Sequence, residues 1–203
     1  MVILSRRHSF ASALSGFVLL AVTGTAEASP IYFNPANGHY YTLTTESKNW
    51  QEAEAEAVAA GGNLVSITDA AEQAFIETTF LTGSNDRSIY WIGATDQTVE
   101  GTFVWTNGDP FGPYTNWNPG EPNNCSCVPG GEDYATINWH YGRFESLVKG
   151  TWNDTSLTGL PFESRVTQGI IEFDTKPVPE PATLFMIGLG GAVLIRRRSL
   201  GGT

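Results

Sequence analysis

Apolar residues recur at helical spacing near the start of the polar middle of the chain. Trp50, Ala53 and Ala57 repeat every three or four positions, with acidic residues between them. This period is typical of a helix with one buried face. Ser47 is a candidate N-cap, and Gly61 with Gly62 ends the pattern. The stretch predicts a first amphipathic helix.

A second helical pattern follows after a short apolar run at 64–67, which reads as a strand or turn. The apolar residues that share one face of this helix are Ala71, Phe75, Ile76 and Phe80. Asp69 precedes them, and Glu72 lies three residues later, a spacing that resembles a capping box. The second helix is therefore predicted to begin at Thr68 or Asp69.

Beyond Gly83 the helical period disappears. Short runs of aromatic and β-branched residues take its place, separated by Gly, Asn, Pro and Asp. With one earlier run, the predicted strands are 40–43, 89–92, 102–105, 134–137 and 169–173. Helices early and strands late indicate an α+β domain with segregated elements.

The first 28 residues have the pattern of an export signal. Arg6 and Arg7 precede an apolar run over 11–22, and Ala26-Glu27-Ala28 offers the small residues of a cleavage site. A signal peptide over 1–28 is predicted, with a buried N-terminal helix as the alternative.

The other end of the chain combines three features. Pro179-Glu180-Pro181 is followed by an apolar run over 182–195 and then by Arg196-Arg197-Arg198. The run is shorter than the ~20 residues of a spanning helix. Together these features resemble the PEP-CTERM sorting signal of exopolysaccharide-producing Gram-negative bacteria. The resemblance implies processing by an exosortase-type enzyme, transient membrane contact through 182–203, and sorting to the cell envelope or extracellular matrix; a plain anchor helix is the alternative.

Charge restricts the classes of partner. The 203 residues carry 11 basic and 21 acidic side chains, and five of the basic ones are arginines in the two terminal segments. The middle of the chain therefore has a strong acidic excess, which repels nucleic acid and attracts multivalent cations. Nucleophile elbows, His-Glu-x-x-His helices and phosphate loops are missing from the sequence. A binding protein is expected rather than an enzyme.

Oxygen-bearing side chains concentrate in four loop segments, at 91–101, 117–124, 131–134 and 150–154. In this order they closely resemble the C-type lectin domain, including its early tryptophan-bearing helix and its last strand. The resemblance implies a C-type lectin-like fold over 29–174, with two helices, short antiparallel strands and a long ligand-binding loop. A Pro-rich linker over 175–181 would join this domain to the sorting tail.

The clearest chemistry lies around Pro122. A cis peptide bond before this proline would let the oxygens of Glu121 and Asn123 face one point. Ca²⁺ takes about six to eight such oxygens. The resemblance implies that the cage is completed by Glu132, Asn153 and Asp154. We call these five residues the main site; the resemblance implies that they bind both Ca²⁺ and carbohydrate, with Glu-Pro-Asn favouring mannose-type sugars.

The resemblance also implies an auxiliary calcium site next to the main site. Its residues would be Asp96, Glu100 and Asp133, together with Glu132 of the main site. Asn124 stands where an acid is more usual, which lowers the ligand charge of this auxiliary site.

The two cysteines depart from the family pattern. Cys125 and Cys127 lie in an insertion over 125–130, and they are predicted to form a local disulfide, with an intermolecular bond or a soft-metal site as alternatives. The residues at the family's usual disulfide positions are Ala57, Tyr134, Leu157 and Ile171. Apolar packing is expected to replace these cross-links.

Two functions follow from the resemblance. The first is a secreted, calcium-dependent carbohydrate-binding module whose partner is a glycan or exopolysaccharide. The alternative is a calcium-stabilised protein-binding or adhesion module without sugar binding. Retention of all five main-site residues favours the first.

Overall fold

The computed structural model describes residues 29–45, 49–126, 128–139, 141, 148–158 and 166–178. The predicted signal peptide and the sorting tail from 179 onwards lie outside the described residues. Within the described part, neither helix combines the length and the apolar character that crossing a bilayer requires.

Helix α1 spans Trp50–Ala59 and α2 spans Ala70–Phe80. The N-cap of α1 is Asn49, whereas the predicted Ser47 lies outside the described residues. The Asn49 side chain accepts from the backbone N–H of Glu52 at 2.9 Å, and the Glu52 carboxylate accepts from the backbone N–H of Asn49 at 3.1 Å. This reciprocal pair satisfies two N–H groups at the helix start.

At the start of α2, one of the two hydrogen bonds of the predicted capping box is formed. Asp69 is the N-cap and accepts from the backbone N–H of Glu72 at 2.8 Å. The Glu72 carboxylate accepts instead from the backbone N–H of Thr68 at 2.9 Å. The Glu72 side chain is therefore directed into the protein interior, where it is 4% exposed.

Among the described residues, eight strands form one sheet. They are β1 Tyr32–Phe33, β2 Tyr40–Leu43, β3 Asn63–Leu64, β4 Ile89–Thr95, β5 Val104–Trp105, β6 Tyr134–Ile137, β7 Trp152–Thr155 and β8 Val166–Phe173. The main path runs β1-β2-β8-β4-β6-β7, with β3 on β8 and β5 on β4. Only β4 and β8 pair in parallel among these strands; the other pairs are antiparallel. The architecture confirms the predicted α+β class, with two helices and mostly antiparallel strands.

Strand β7 was not anticipated, because three of its four residues, in the order Trp-Asn-Asp-Thr, are polar. All four are nevertheless buried. Pairing with β6 places Asp154 opposite Ala135 and Asn153 opposite Thr136. Two predicted metal ligands thus lie on a buried, paired strand rather than on a loop.

Apolar packing occupies the positions where the family usually has disulfides. Ala57 and Ile171 lie in one buried cluster, with Phe173. Tyr134 lies in another, and Leu157 packs against it. The expectation that core packing replaces these cross-links is confirmed.

Candidate functional site

Two backbone hydrogen bonds of Trp152 join β7 to the loop segment 116–118. The backbone N–H of Trp152 donates to the carbonyl of Asn116 at 2.8 Å, and its carbonyl accepts from the N–H of Asn118 at 2.9 Å. The next two residues of the strand, Asn153 and Asp154, are 5% and 1% exposed. The strand therefore brings two ligand residues against the loop that carries the Glu-Pro-Asn segment.

The Glu-Pro-Asn segment contacts Asp154 directly. The peptide bond between Glu121 and Pro122 is cis. Beyond it, the backbone N–H groups of Asn123 and Asn124 donate to Asp154 Oδ1 and Oδ2, at 3.1 Å and 2.7 Å. The Asp154 carboxylate thus joins segments that are about thirty residues apart in the chain.

Glu132 reaches the same region from the other side of the insertion. It is 4% exposed, and its Oε2 accepts from the backbone N–H of Cys125 at 2.9 Å. Its own backbone N–H donates to Asn124 Oδ1 at 2.9 Å. The close approach of Asn124 requires a glycine at position 131. A Cβ there would lie 2.7 Å from Asn124 Oδ1, and the φ of Gly131 is +87°, a conformation that favours glycine.

The three acids of the main site interact electrostatically. Burial, the charge of Asp154 and a hydrogen bond with Asp154 raise the pKa of Glu121 to about 7. Burial raises the pKa of Glu132 to about 7 against the lowering effect of the Cys125 N–H, and the charges of Asp154 and Glu121 add to the rise. Such a group of buried like charges favours an added proton or cation.

The main site is thus assembled in part by direct contact and in part by proximity. Asp154 accepts from the Asn123 backbone and raises the pKa of Glu121 by its charge, and the charges of Asp154 and Glu121 both act on Glu132. Asn153 lies beside Asp154 on β7, and its amide donates to the Asp154 carbonyl. Glu121, Glu132 and Asp154 do not form a trio of ligand atoms within 4.8 Å in the described structure.

The acids of the predicted auxiliary site also converge. Asp96 is 3% exposed, and its Oδ2 accepts from the N–H of Gly101 at 2.8 Å. Its Oδ1 is buried without a hydrogen-bond partner among the described residues. Burial raises the pKa of Asp96, and the charges of Glu100 and Asp133 raise it further. Asn124, the remaining residue of the predicted auxiliary site, accepts a hydrogen bond from the Glu132 backbone N–H with its side-chain oxygen.

Cys125 is disulfide-bonded. Cys127 lies outside the described residues, so the predicted bond between the two stays a prediction. Cys125 also touches the main site, because its backbone N–H is the donor to Glu132.

A second acidic cluster lies elsewhere in the molecule and was missed by sequence reasoning. It consists of His39, Tyr41, Glu72 and Glu172, and we call it the His39 cluster. The Tyr41 hydroxyl lies 2.7 Å from Glu72 Oε1 and 3.1 Å from Glu172 Oε1. His39 Nδ1 lies 2.6 Å from Glu172 Oε1. One ligand atom each of His39, Glu72 and Glu172 lie within 4.8 Å of one another.

The remaining oxygens of the His39 cluster have donors from the fold. Glu172 Oε2 accepts from the backbone N–H of Ser66 at 3.0 Å, and Glu72 Oε2 accepts from that of Thr68. The Asn37 amide donates to the Tyr41 hydroxyl and to Glu72 Oε1. The only sequence signal was a glutamate inside the apolar last strand, at 172.

Comparison with known proteins gives two family matches. Residues 46–156 match the Lectin C-type domain. Residues 177–199 match the PEP-CTERM protein-sorting motif. The first match covers more than half of the chain and contains all residues of the main and auxiliary sites.

Relatives and solved structures agree with this. The chain is 29% identical over 141 residues to a perlucin-like protein of Mytilus galloprovincialis, covering 68% of this chain and 83% of that protein. It is 33% identical over 147 residues to mouse C-type mannose receptor 2, covering 70% of this chain but 9% of the receptor. The carbohydrate-recognition domain of cow CD23, solved in the presence of a GlcNAc2Man3 oligosaccharide, aligns with a TM-score of 0.51 and 28% identity, over 66% of this chain and 87% of that one. The chain therefore belongs to the C-type lectin domain family and carries a PEP-CTERM sorting motif.

Proposed function

We propose that the protein is an exported, calcium-dependent carbohydrate-binding module without enzymatic activity. The observation that carries this proposal is the contact between Asp154 and the Glu-Pro-Asn segment. The two oxygens of the Asp154 carboxylate accept the backbone N–H groups of Asn123 and of Asn124, the residue that follows the segment, and the charge of Asp154 acts on Glu121. Ligand residues far apart in sequence thereby share one location.

The donor set fits Ca²⁺, a hard cation that prefers carboxylate and amide oxygens. The residues that would hold it are Glu121, Asn123, Glu132, Asn153 and Asp154. The ion would offset the mutual repulsion of the three acids and offer open coordination positions to sugar hydroxyls. Strand β7 fixes Asn153 and Asp154, while the Cys125 N–H orients Glu132.

Sugar selection would depend on the same side chains. A hydroxyl group both donates and accepts, so a vicinal pair can donate to carboxylates and accept from Asn amides. The order of acid and amide across Pro122 therefore selects the hydroxyl geometry. The family resemblance of Glu-Pro-Asn supports mannose-type sugars.

An auxiliary ion would bind beside the main site. Asp96 offers a buried carboxylate oxygen without a partner among the described residues, and Glu100 and Asp133 act on it with like charge. Asn124 replaces an acid there, so we expect weaker binding than at the main site.

The sorting motif supports a location at the cell envelope or in the exopolysaccharide matrix, after processing by an exosortase-type enzyme at the tail. One shallow sugar site binds weakly. Display of many copies on a surface or polymer would raise the effective affinity.

Calcium titration by calorimetry tests the site. Wild type should bind Ca²⁺, and E121Q should lose most of that affinity because one charged ligand is removed. D109N is the matched control, since Asp109 is an exposed acid paired with Asn107. Equal affinity in wild type and E121Q, or no binding by wild type, would overturn the proposal.

Sugar preference is tested by the double variant E121Q/N123D. It exchanges acid and amide across Pro122, so the number of carboxylates is unchanged and calcium affinity should largely return. Preference on a glycan array should move from mannose-type to galactose-type sugars. Calcium binding without any glycan would support the adhesion module instead, and hydrolysis of a polysaccharide would contradict a pure binding role.

A further inference from the structure

A buried glutamine connects helix α2 to the strand of the main site. Gln73 is 4% exposed. Its Oε1 accepts from the indole Nε1–H of Trp152 at 3.0 Å, and its Nε2 donates to the carbonyl of Gly150 at 2.9 Å. Nε2 also donates to Glu77 Oε1 at 2.7 Å. The amide of Gln73 is thus fully used within the fold.

The orientation of this amide is determined by chemistry. An indole N–H is a donor only, so the Gln73 atom facing it must be the oxygen. The two N–H groups then face Gly150 and Glu77, which both present acceptors. A methionine of similar length would lose all three bonds, leaving the indole N–H of the fully buried Trp152 without this acceptor.

Trp152 connects the two sequence segments that carry the main site, the loop with Glu121 and the strand with Asn153 and Asp154. Its carbonyl accepts from the Asn118 N–H, and the Asn118 carbonyl accepts from the Glu121 N–H at 2.8 Å. Asn153 and Asp154 follow it directly along β7. A displacement of Trp152 would therefore move ligands of both segments.

The surroundings of the Trp152 ring are otherwise aromatic. Trp105, Tyr114 and Trp117 pack edge-on around it, with ring centroids 5.5 to 6.0 Å away. Such contacts fill space but constrain rotation and sliding less than a directed hydrogen bond does. Gln73 supplies the directed bond.

We propose that Gln73 is a positioning residue for the main site, which holds Trp152, and through it Asn153, Asp154 and Glu121, in the geometry that binds Ca²⁺. The inference rests on the proposed calcium site. Residues that orient metal ligands commonly contribute a factor of about 10 to 100 to metal affinity. We expect Q73M to weaken calcium binding roughly 10-fold.

The test compares Q73M with Q168M by calcium calorimetry and by thermal unfolding in Ca²⁺ and in chelator. Gln168 is a suitable control, because its amide also donates to a backbone carbonyl, that of Thr44, but on β8. Q73M should show the weaker Kd and a smaller calcium-induced rise in Tm, whereas Q168M should keep the wild-type values of both. An equal Tm loss in Ca²⁺ and chelator with an unchanged Kd would show a purely structural role and overturn the inference.

A second measurement uses the wild type and does not depend on the folding of Q73M. Calcium should shift the NMR resonance of the Trp152 indole N–H and slow its exchange with solvent. An unchanged resonance and exchange rate in calcium-bound protein would overturn the inference while leaving the proposed function intact. Failure of the wild type to bind Ca²⁺ at all would instead overturn the proposed function, and the inference with it.

Discussion

The main site and the His39 cluster both bury carboxylates, but they stabilise them differently. In the His39 cluster, side chains and backbone donors from several elements surround Glu72 and Glu172, including the Tyr41 hydroxyl and His39. In the main site, the donors to Asp154 and Glu132 are backbone N–H groups of one short segment, 123–125.

Under the proposed function, this difference would distinguish a structural cluster from a binding site. His39 can neutralise one of the two carboxylates, that of Glu172, with its own proton, so the cluster can compensate part of its charge within the fold. At the main site, the charges that act on Glu132 are those of two further acids. We therefore expect an external cation at the main site rather than at the His39 cluster, which connects β2, α2 and β8.

Removal of Asp154 should have the largest effect on binding. D154A removes a ligand and both acceptors that hold Asn123 and Asn124, so calcium affinity should fall by more than about 100-fold. Calorimetry against D109N measures this. Affinity within a few-fold of the control would mean that the acids of the main site do not act together.

Removal of the Tyr41 hydroxyl should affect stability and not binding. Y41F takes a donor from the buried carboxylates Glu72 and Glu172, at a cost of about 1–3 kcal/mol in the free energy of unfolding. Urea unfolding in Ca²⁺ and in chelator should give the same loss. A loss that appears only in Ca²⁺ would contradict the separation of the two regions.

The pH dependence of stability should reveal the His39 cluster. Burial raises the pKa of Glu172 to about 7, and the charge of Glu72 adds to the rise. Burial alone would lower the pKa of His39, but its hydrogen bond to Glu172 and the charges of Glu172, Asp174 and Glu72 raise it overall. Both groups hold protons more tightly in the folded state than in the unfolded state.

Stability in chelator should therefore fall as the pH rises from about 4.5, the ordinary value for Glu172, through 7. Glu121 and Glu132 act in the same direction, so the wild type alone does not isolate the cluster. E172Q should flatten the slope because it removes one titrating group and the partner of His39. An E172Q slope equal to that of the wild type would contradict the assignment.

Local patterns predicted both helices and most strands, because apolar period and glycine punctuation are properties of short segments. They failed at β7, where pairing with β6 and packing of Trp152 override the polar character of Asn153 and Asp154. They also misplaced the N-cap of α1, which is Asn49, a residue that exchanges hydrogen bonds with Glu52.

The site residues came from the family resemblance rather than from spacing. Glu121 and Asp154 lie too far apart in sequence for any periodicity to relate them. The His39 cluster was missed for the same reason, with His39 and Glu172 separated by 133 positions. Glu72 and Gln73 also show that neighbours on one helix can serve opposite sides, as Glu72 faces Tyr41 and Gln73 faces Trp152.

The most direct test of the account is a titration of mannose into the protein in Ca²⁺ and, separately, in chelator. The account predicts binding in Ca²⁺, none in chelator, and none for D154A in either condition. Mannose binding of equal strength with and without Ca²⁺ would contradict it.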